Sequence, residues 1–208
     1  LPNRKKETVV AFLRSIPLKL RASIERVCTD MYEGYTNAVK EEVTQAQVVI
    51  DRFHVAKAYR ECADELRKSE LRELKQGLDA EEYKLLKGTM WPFRRNAADL
   101  EPEQEQAVAL LLECAPDLRK AYDLREELSA IFDAEQSKES AKRAITNWIG
   151  RVKQSGLKCF DSFLTTLDNW LDEITNYFLD RQTSGFVEGF NNKIKVLKRR
   201  CYGITNIA

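Results

Sequence analysis

The chain has 208 residues, enough for one sizeable domain or for a small domain with an insertion, and 43% of them are hydrophobic while 32% are charged. The net charge of +1 hides an uneven distribution, because residues 97–135 hold eleven acids and three bases whereas residues 181–202 hold six bases and one acid. One histidine and five scattered cysteines supply no zinc ligand set, and no apolar run approaches the ~20 residues of a membrane span, so we expect a cytoplasmic protein with free thiols and no membrane partner.

The first fifty residues alternate between helical and strand patterns. Apolar residues at helical spacing predict a helix over residues 5–15, and MYEGYTNAVKEEVTQ predicts a second short helix after a turn. Between and after them, SIERVCTD and the β-branched run QVVID predict two short strands. A strand–helix–strand crossover of this length predicts that the two strands are parallel neighbours.

From Val55 to about Phe178 the strand signal almost vanishes. Amphipathic patterns predict helices over residues 55–76, 80–87, 103–114, 117–133, 138–154 and 157–179. The aromatic residues of this block, from Trp91 to Phe178, stand mostly at helical spacings, and we expect them in its core. A last helix is predicted from about Ser184 to near Gly203. The fold class is therefore mostly α with a small α/β part.

Two aspartates end the predicted strands, Asp30 in VCTD and Asp51 in VVID. If the strands are parallel neighbours about 4.8 Å apart, both carboxylates emerge at the carboxyl edge of the sheet, where open α/β sheets bind ligands. The ordinary alternative is that an Asp after a strand caps the next helix or shapes a turn.

Arg52 and His54 follow at once in DRFHV. A single histidine at a strand end is more often a hydrogen-bonded packing residue than a catalytic base or a ligand. Arg52 is a candidate partner for an acid or a phosphate, although a solvated surface arginine is the commoner case.

The last helix carries one acid, Glu188, among many cations. At 100° per residue an apolar stripe runs through Val187, Phe190, Ile194, Leu197 and Cys201. A separate polar face carries Glu188, Asn191, Asn192, Lys195 and Arg199. An acid in the first turn and bases in the last are what any helix prefers. The alternative is that Glu188 holds a divalent metal while Lys195, Lys198, Arg199 and Arg200 contact backbone phosphates of DNA. The residues alone leave both open.

Four stretches in this order, TDMYEGYTNAV, VVIDRFHVAK, a long helical block and FVEGFNNKIKVLKRRCYG, resemble one family over essentially the whole chain. The chain is similar to the DDE transposases of bacterial insertion sequences, specifically the ISL3 group. The resemblance implies a partial RNase H-like fold interrupted by an all-helical insertion. The corresponding boundaries are 1–54 for the α/β part, 55–180 for the insertion and 181–208 for the helix that carries the third acid.

The resemblance also implies chemistry. Such enzymes hold two Mg²⁺ or Mn²⁺ ions on two Asp and one Glu, and use them for in-line displacement at a DNA phosphodiester. Asp30 matches the second acid and Glu188 the third, with Asp51 as the other candidate for the second acid and His54 beside the site. Asn192 joins the cations of the last helix as a DNA contact.

The first catalytic Asp of the family lies on an earlier strand, and residues 1–29 contain no Asp. We therefore expect an N-terminally truncated fragment that is inactive as given and binds no metal tightly, whereas the complete enzyme would cut and join transposon ends and target DNA. An exposed strand edge would also allow a homodimer. The alternative function is a non-catalytic helical module that binds DNA or another protein.

Overall fold

A computed structural model describes residues 3–200 of the chain, apart from the side chains of Glu82 and Glu188. The chain divides into two units, an α/β unit and a helical unit. The α/β unit consists of the residues up to Asp51 together with those from Asp180 on. The helical unit is Arg52–Leu179. The structure thus confirms a mostly helical protein with a small α/β part.

Within its described residues the α/β unit contains two strands and four helices. In chain order they are α1 (Lys6–Ser15), α2 (Leu18–Ala22), β1 (Arg26–Thr29), α3 (Glu33–Glu42), β2 (Gln47–Ile50) and α13 (Gly185–Arg200). The strands pair in parallel, as the sequence predicts, and their register runs from Arg26 opposite Gln47 to Thr29 opposite Ile50. Helix α2 was not predicted, because its leucines Leu18 and Leu20 are exposed and leave it without an apolar stripe.

The core of the α/β unit lies between α1, α3 and the strands. Helix α1 packs along α3, and α3 also contacts both strands. The buried side chains of this core are Val9, Leu13, Ala38, Val39, Val43 and Val48. The four-residue spacings of Val9 with Leu13 and of Val39 with Val43, together with the strand position of Val48, explain why the sequence pattern predicts these elements.

The helical unit contains nine α-helices among its described residues. They are α4 (Arg52–Leu74), α5 (Ala80–Gly88), α6 (Met90–Phe93), α7 (Pro102–Cys114), α8 (Pro116–Asp133), α9 (Lys138–Ser155), α10 (Asp161–Asn169), α11 (Leu171–Thr175) and α12 (Tyr177–Asp180). Most match the predicted segments, and α12 ends one residue beyond the unit. No helix within residues 3–200 combines the length and apolarity needed to cross a bilayer.

The single helix predicted over residues 157–179 is wrong. The segment instead forms a short 3₁₀ turn at Lys158–Phe160 and then α10, α11 and α12. Here the hydroxyls of Thr165, Thr166 and Thr175 donate to backbone carbonyls four residues earlier. Such bonds bend helices, which helps to explain why one apolar periodicity is divided into several short helices.

Tyr59 of α4 lies at the centre of the helical core. Its ring stacks on Phe160 at 4.7 Å between centroids and meets Phe163 and Trp148 within 6 Å. Its hydroxyl donates to the Ala121 carbonyl, and the Trp148 indole donates to the Leu124 carbonyl at 2.8 Å. Both buried aromatic polar groups therefore find partners on α8.

The expectation that the aromatic residues are buried is wrong for Trp91, which is 67% exposed. The Arg94 guanidinium lies over its ring, 5.3 Å from the centroid. Helix α6 is only four residues long, and it buries Phe93 at its end while Trp91 faces outward.

Candidate active site

Asp30 and Asp51 occupy equivalent positions at the carboxyl edge of the two-stranded sheet. Each follows the last paired residue of its strand, Thr29 in β1 and Ile50 in β2. The Asp51 amide donates to the Thr29 carbonyl at 3.2 Å, so the pairing continues to the aspartates. Both carboxylates therefore begin from neighbouring backbone positions, as the sequence predicts.

The Asp51 carboxylate fastens the beginning of α13 to the end of β2. It is 2% exposed, and its Oδ2 accepts from the Ser184 amide at 2.7 Å and from the Ser184 hydroxyl at 2.5 Å. Burial, and after it the negative charge of Asp51, raises the pKa of the nearby Cys28 thiol. Asp51 thus acts as an anchor for the helix that carries Glu188.

Asp30 presents a carboxylate oxygen that has no partner among the residues that the structure describes. Its Oδ2 accepts from Arg4 Nη2 at 2.5 Å, whereas its Oδ1 is buried and makes no hydrogen bond to any residue that the structure describes. The Arg4 guanidinium lies over the rings of Tyr32 and Tyr35. An orphaned, buried carboxylate oxygen is costly unless something else binds it. Divalent cations such as Mg²⁺ bind carboxylate oxygens of this kind.

Glu188 lies in the first turn of α13, four residues after Ser184. Its side chain is outside the described residues, so its proximity to Asp30 stays a prediction. Because a helix rises 1.5 Å per residue, the Glu188 backbone is about 6 Å along the axis from Ser184, which Asp51 holds. The anchor therefore brings the first turn of α13 to the carboxyl edge of β2.

Among the residues whose side chains are described, no group of three His, Cys, Asp or Glu could hold an ion. Asp30 has one buried oxygen, Oδ1, without a described partner, while its Oδ2 accepts from Arg4 and Asp51 Oδ2 accepts from Ser184. Which of the two aspartates holds a metal stays a prediction.

The cations of α13 are all exposed. Asn192, Lys195, Lys198, Arg199 and Arg200 face solvent, and no described carboxylate lies within ion-pair distance of these cations. The apolar stripe is exposed as well, with Val187, Phe190 and Leu197 each more than half accessible. Cys201 and the predicted helix end near Gly203 lie outside the described residues.

Arg52 and His54 belong to the beginning of α4. Arg52 donates to Asp133 Oδ1 at 2.8 Å and to the Tyr177 hydroxyl at 3.4 Å, so it is paired within the helical unit rather than solvated. The half-buried His54 ring meets Phe53 edge-on at 5.6 Å. This contact agrees with a packing role for the histidine.

Sequence reasoning missed Ser184 and Arg4. Ser184 directly precedes a helix, where serine is a preferred cap, and this local signal was present in the sequence. Nothing local marks Arg4, since its partner Asp30 is 26 residues away.

The chain matches a family model described as transposase, of the ISL3 type of DDE transposases, over residues 1–208. It is 32% identical over 203 residues to the transposase for insertion sequence element IS1001 of Bordetella parapertussis, covering 97% of this chain and 49% of that protein. It is 24% identical over 221 residues to the transposase for insertion sequence element IS1557 of Mycobacterium tuberculosis, with the same coverage. The chain thus spans about half the length of these curated relatives. No solved structure matches it significantly.

Proposed function

Since the chain belongs to the ISL3 group of DDE transposases, we propose that it is part of an enzyme that cuts DNA and transfers the cut strands by metal-dependent phosphoryl transfer. The observation that supports this most is the buried, unpartnered Oδ1 of Asp30 at the carboxyl edge of the sheet. The anchored start of α13, which carries Glu188, lies at the end of the neighbouring strand.

In this proposal β1, β2 and α13 are parts of an RNase H-like fold and the helical unit is an insertion between β2 and α13. Two parallel strands with a crossover helix, and a chain that leaves after β2 and returns at Asp180, support this arrangement. The ion pair between Arg26 of β1 and Asp180 fastens the returning chain a few residues before α13.

Asp30 and Glu188 would hold divalent metal, for which Mg²⁺ or Mn²⁺ suits oxygen ligands. When bound, the metal supplies Lewis-acid activation of the attacking oxygen and stabilises the leaving oxygen. Asp51 acts as a positioning residue that fixes the start of α13. Lys195, Lys198, Arg199 and Arg200 bind backbone phosphates, because they are exposed and free of described acidic partners. Asn192 adds a neutral donor on the same helix.

The 208-residue polypeptide alone is proposed not to cleave DNA. The proposed chemistry uses three carboxylates, and residues 1–29 contain no Asp that could serve as the first. Activity is therefore assigned to the whole protein, about twice as long in the curated relatives.

The test is a DNA cleavage assay of the whole protein on transposon ends in Mg²⁺. Asp30→Asn and Glu188→Gln should each lower the cleavage rate by at least about a hundredfold, because a metal ligand supports several kcal/mol of transition-state stabilisation. Asp117→Asn, which changes an exposed acid of α8, is the control and should leave the rate unchanged.

The alternative, a non-catalytic module that binds DNA or a protein through the α13 cations, gives the opposite result. Asp30→Asn and Glu188→Gln would then have no effect on cleavage beyond that of the control. That outcome would show that neither acid takes part in catalysis.

A further inference from the structure

The helical unit contains a cavity of about 270 Å³ whose polar lining is dominated by arginine. The four arginines that line it are Arg52, Arg60, Arg94 and Arg125, and Asn96 and Ser129 add neutral donors. None of the described residues that line the cavity is acidic. Its volume is far above the ~10–15 Å³ that one water needs, so a larger group fits.

Three of these arginines have acidic partners outside the cavity. Arg52 pairs with Asp133 and Arg94 with Asp64, at 2.8 and 2.9 Å. Arg125 pairs with Glu126 at 2.6 Å. These ion pairs hold the three guanidinium groups in place at the cavity.

Arg60 differs from them. Its Nε donates to the Ala56 carbonyl at 3.2 Å, and no described carboxylate lies within ion-pair distance of its guanidinium. Its position is restricted by Phe53, whose ring centroid lies 5.7 Å from the guanidinium carbon. Burial, and after it the positive charges of Arg125 and Arg94, lowers the pKa of Arg60 and outweighs the opposite effect of the Glu61 charge. A half-buried cation beside two others is the environment that an anion would stabilise.

We propose that this cavity, called here the arginine pocket, binds a phosphate group of the DNA backbone through Arg60. The planar guanidinium fork matches phosphate oxygens. The remaining lining is apolar, including Val55 and Leu128, which suits a phosphodiester flanked by sugars better than a free phosphate hydrated on every side. The DNA source of the phosphate rests on the proposed function, whereas the anion site itself rests on the geometry.

Arg72 provides a matched control. It lies on the same helix, and its Nε donates to the carbonyl four residues earlier, that of Lys68, at 3.1 Å. It does not line the arginine pocket. Replacing either arginine by glutamine removes one positive charge and one side-chain bond of the same kind, so a difference between the two variants reports the pocket.

The experiment measures the affinity of the 208-residue chain for a mixed-sequence DNA duplex by fluorescence anisotropy across a series of salt concentrations. Arg60→Gln should weaken binding at least about tenfold, the low end for a hydrogen bond to a charged group. It should also lower the slope of log affinity against log salt by about 0.9, the value for one phosphate contact. Arg72→Gln should weaken binding less than about threefold.

A second variant covers the case in which Arg60→Gln disturbs folding. Arg60→Lys keeps the charge but not the fork, so it should retain the salt slope of the unchanged chain and still bind DNA more weakly. Equal affinities for Arg60→Lys and the unchanged chain would contradict recognition by the guanidinium.

Three results would overturn the proposal. Equal losses of DNA affinity in Arg60→Gln and Arg72→Gln would show that DNA responds to diffuse charge and not to a site. If the unchanged chain does not bind DNA, DNA is not the ligand of the pocket. If inorganic phosphate raises the melting temperature of the unchanged chain but not of Arg60→Gln, while both bind DNA equally, the pocket takes free phosphate. Cleavage by the whole protein is a separate assay, so failure of the metal site and failure of the arginine pocket are distinguishable.

Discussion

Asp30 and Asp51 follow equivalent positions of paired strands, yet their surroundings differ. Asp51 is buried and accepts two hydrogen bonds from Ser184, whereas Asp30 keeps one buried oxygen without a described partner. Sequence alone could place both at the sheet edge, because each ends an apolar run. It could not separate their roles, because Ser184 is 133 residues from Asp51 along the chain.

Asp51→Asn separates anchoring from metal binding. An asparagine keeps an acceptor for Ser184 but loses the charge, so in the whole protein we expect a smaller loss of cleavage than in Asp30→Asn. Asp51→Ala removes the acceptor and should cost about 1.5–3 kcal/mol of stability, the range for a hydrogen bond to a charged group. Urea unfolding and the cleavage assay measure the two effects. Equal loss of cleavage in Asp51→Asn and Asp30→Asn would identify Asp51 as a metal ligand.

The contact between α4 and the end of α6 depends on a buried ion cluster. Asp64 accepts from Arg67 at 2.9 Å, with both side chains nearly inaccessible, and its other oxygen pairs with Lys68 and with Arg94. The same cluster holds Arg94 at the arginine pocket. Sequence shows the i, i+3 spacing of Asp64 and Arg67 but not their burial, because Arg94 joins them from 30 residues away.

Asp64→Asn should destabilise the helical unit by about 3–5 kcal/mol, because it leaves Arg67 buried without its counter-charge. Asp117→Asn is the control, since Asp117 and Lys120 form an i, i+3 pair that is exposed. That pair should contribute at most about 1 kcal/mol. Urea unfolding at neutral pH measures both variants, and equal costs would contradict the buried cluster.

The same carboxylate gives a pH dependence. Burial acts to raise the pKa of Asp64, but the hydrogen bonds from Arg67 and Lys68 outweigh it and hold the pKa below its usual value. The folded pKa is therefore lower than the unfolded pKa of about 3.9, so the stabilisation is present above that pH and is lost as the pH falls through the folded pKa. The difference in unfolding free energy between the unchanged chain and Asp64→Asn should be constant from pH 7 to about 5 and shrink below about 4. A difference that grows in acid would contradict this sign.

Helix α13 carries its cations on an exposed surface without described acidic partners. Exchanging Lys195 and Arg199 for glutamate should weaken DNA binding and lower the salt slope by about 2, one phosphate contact for each cation. The control exchanges Lys84 and Lys87, exposed cations of α5, for glutamate. Fluorescence anisotropy measures both, and a salt slope that is the same in the two variants would count against phosphate contacts by α13.

Most of the helices and both strands could be predicted, because the apolar residues of each element follow its own period and face the core of its unit. The period failed over residues 157–179, where threonine hydroxyls bond to the backbone, and over α2, whose leucines are exposed. Local pattern therefore predicts an element when packing and periodicity agree. It does not predict where side-chain hydroxyls bond to the backbone and divide a helix.

The order of the two units along the chain could also be predicted, because a strand-poor helical block stands between the α/β pattern of the first fifty residues and the basic last helix. What the sequence could not show is how the last part returns to the first. The ion pair of Arg26 with Asp180 and the hydrogen bonds of Asp51 with Ser184 join segments separated by the whole helical unit. The candidate site depends on that return, because it alone brings the first turn of α13, with Glu188, to the sheet.

Iron-directed backbone cleavage of the whole protein tests most directly whether Asp30 and Glu188 hold one metal. Fe²⁺ takes the place of Mg²⁺, and radicals generated with ascorbate and peroxide cut the polypeptide next to the bound ion. A metal shared by the two acids should give two main cuts, one beside Asp30 and one beside Glu188, both lost in Asp30→Asn and both suppressed by excess Mg²⁺. Cuts beside Asp30 that persist without any beside Glu188 would show that the two acids do not hold one metal.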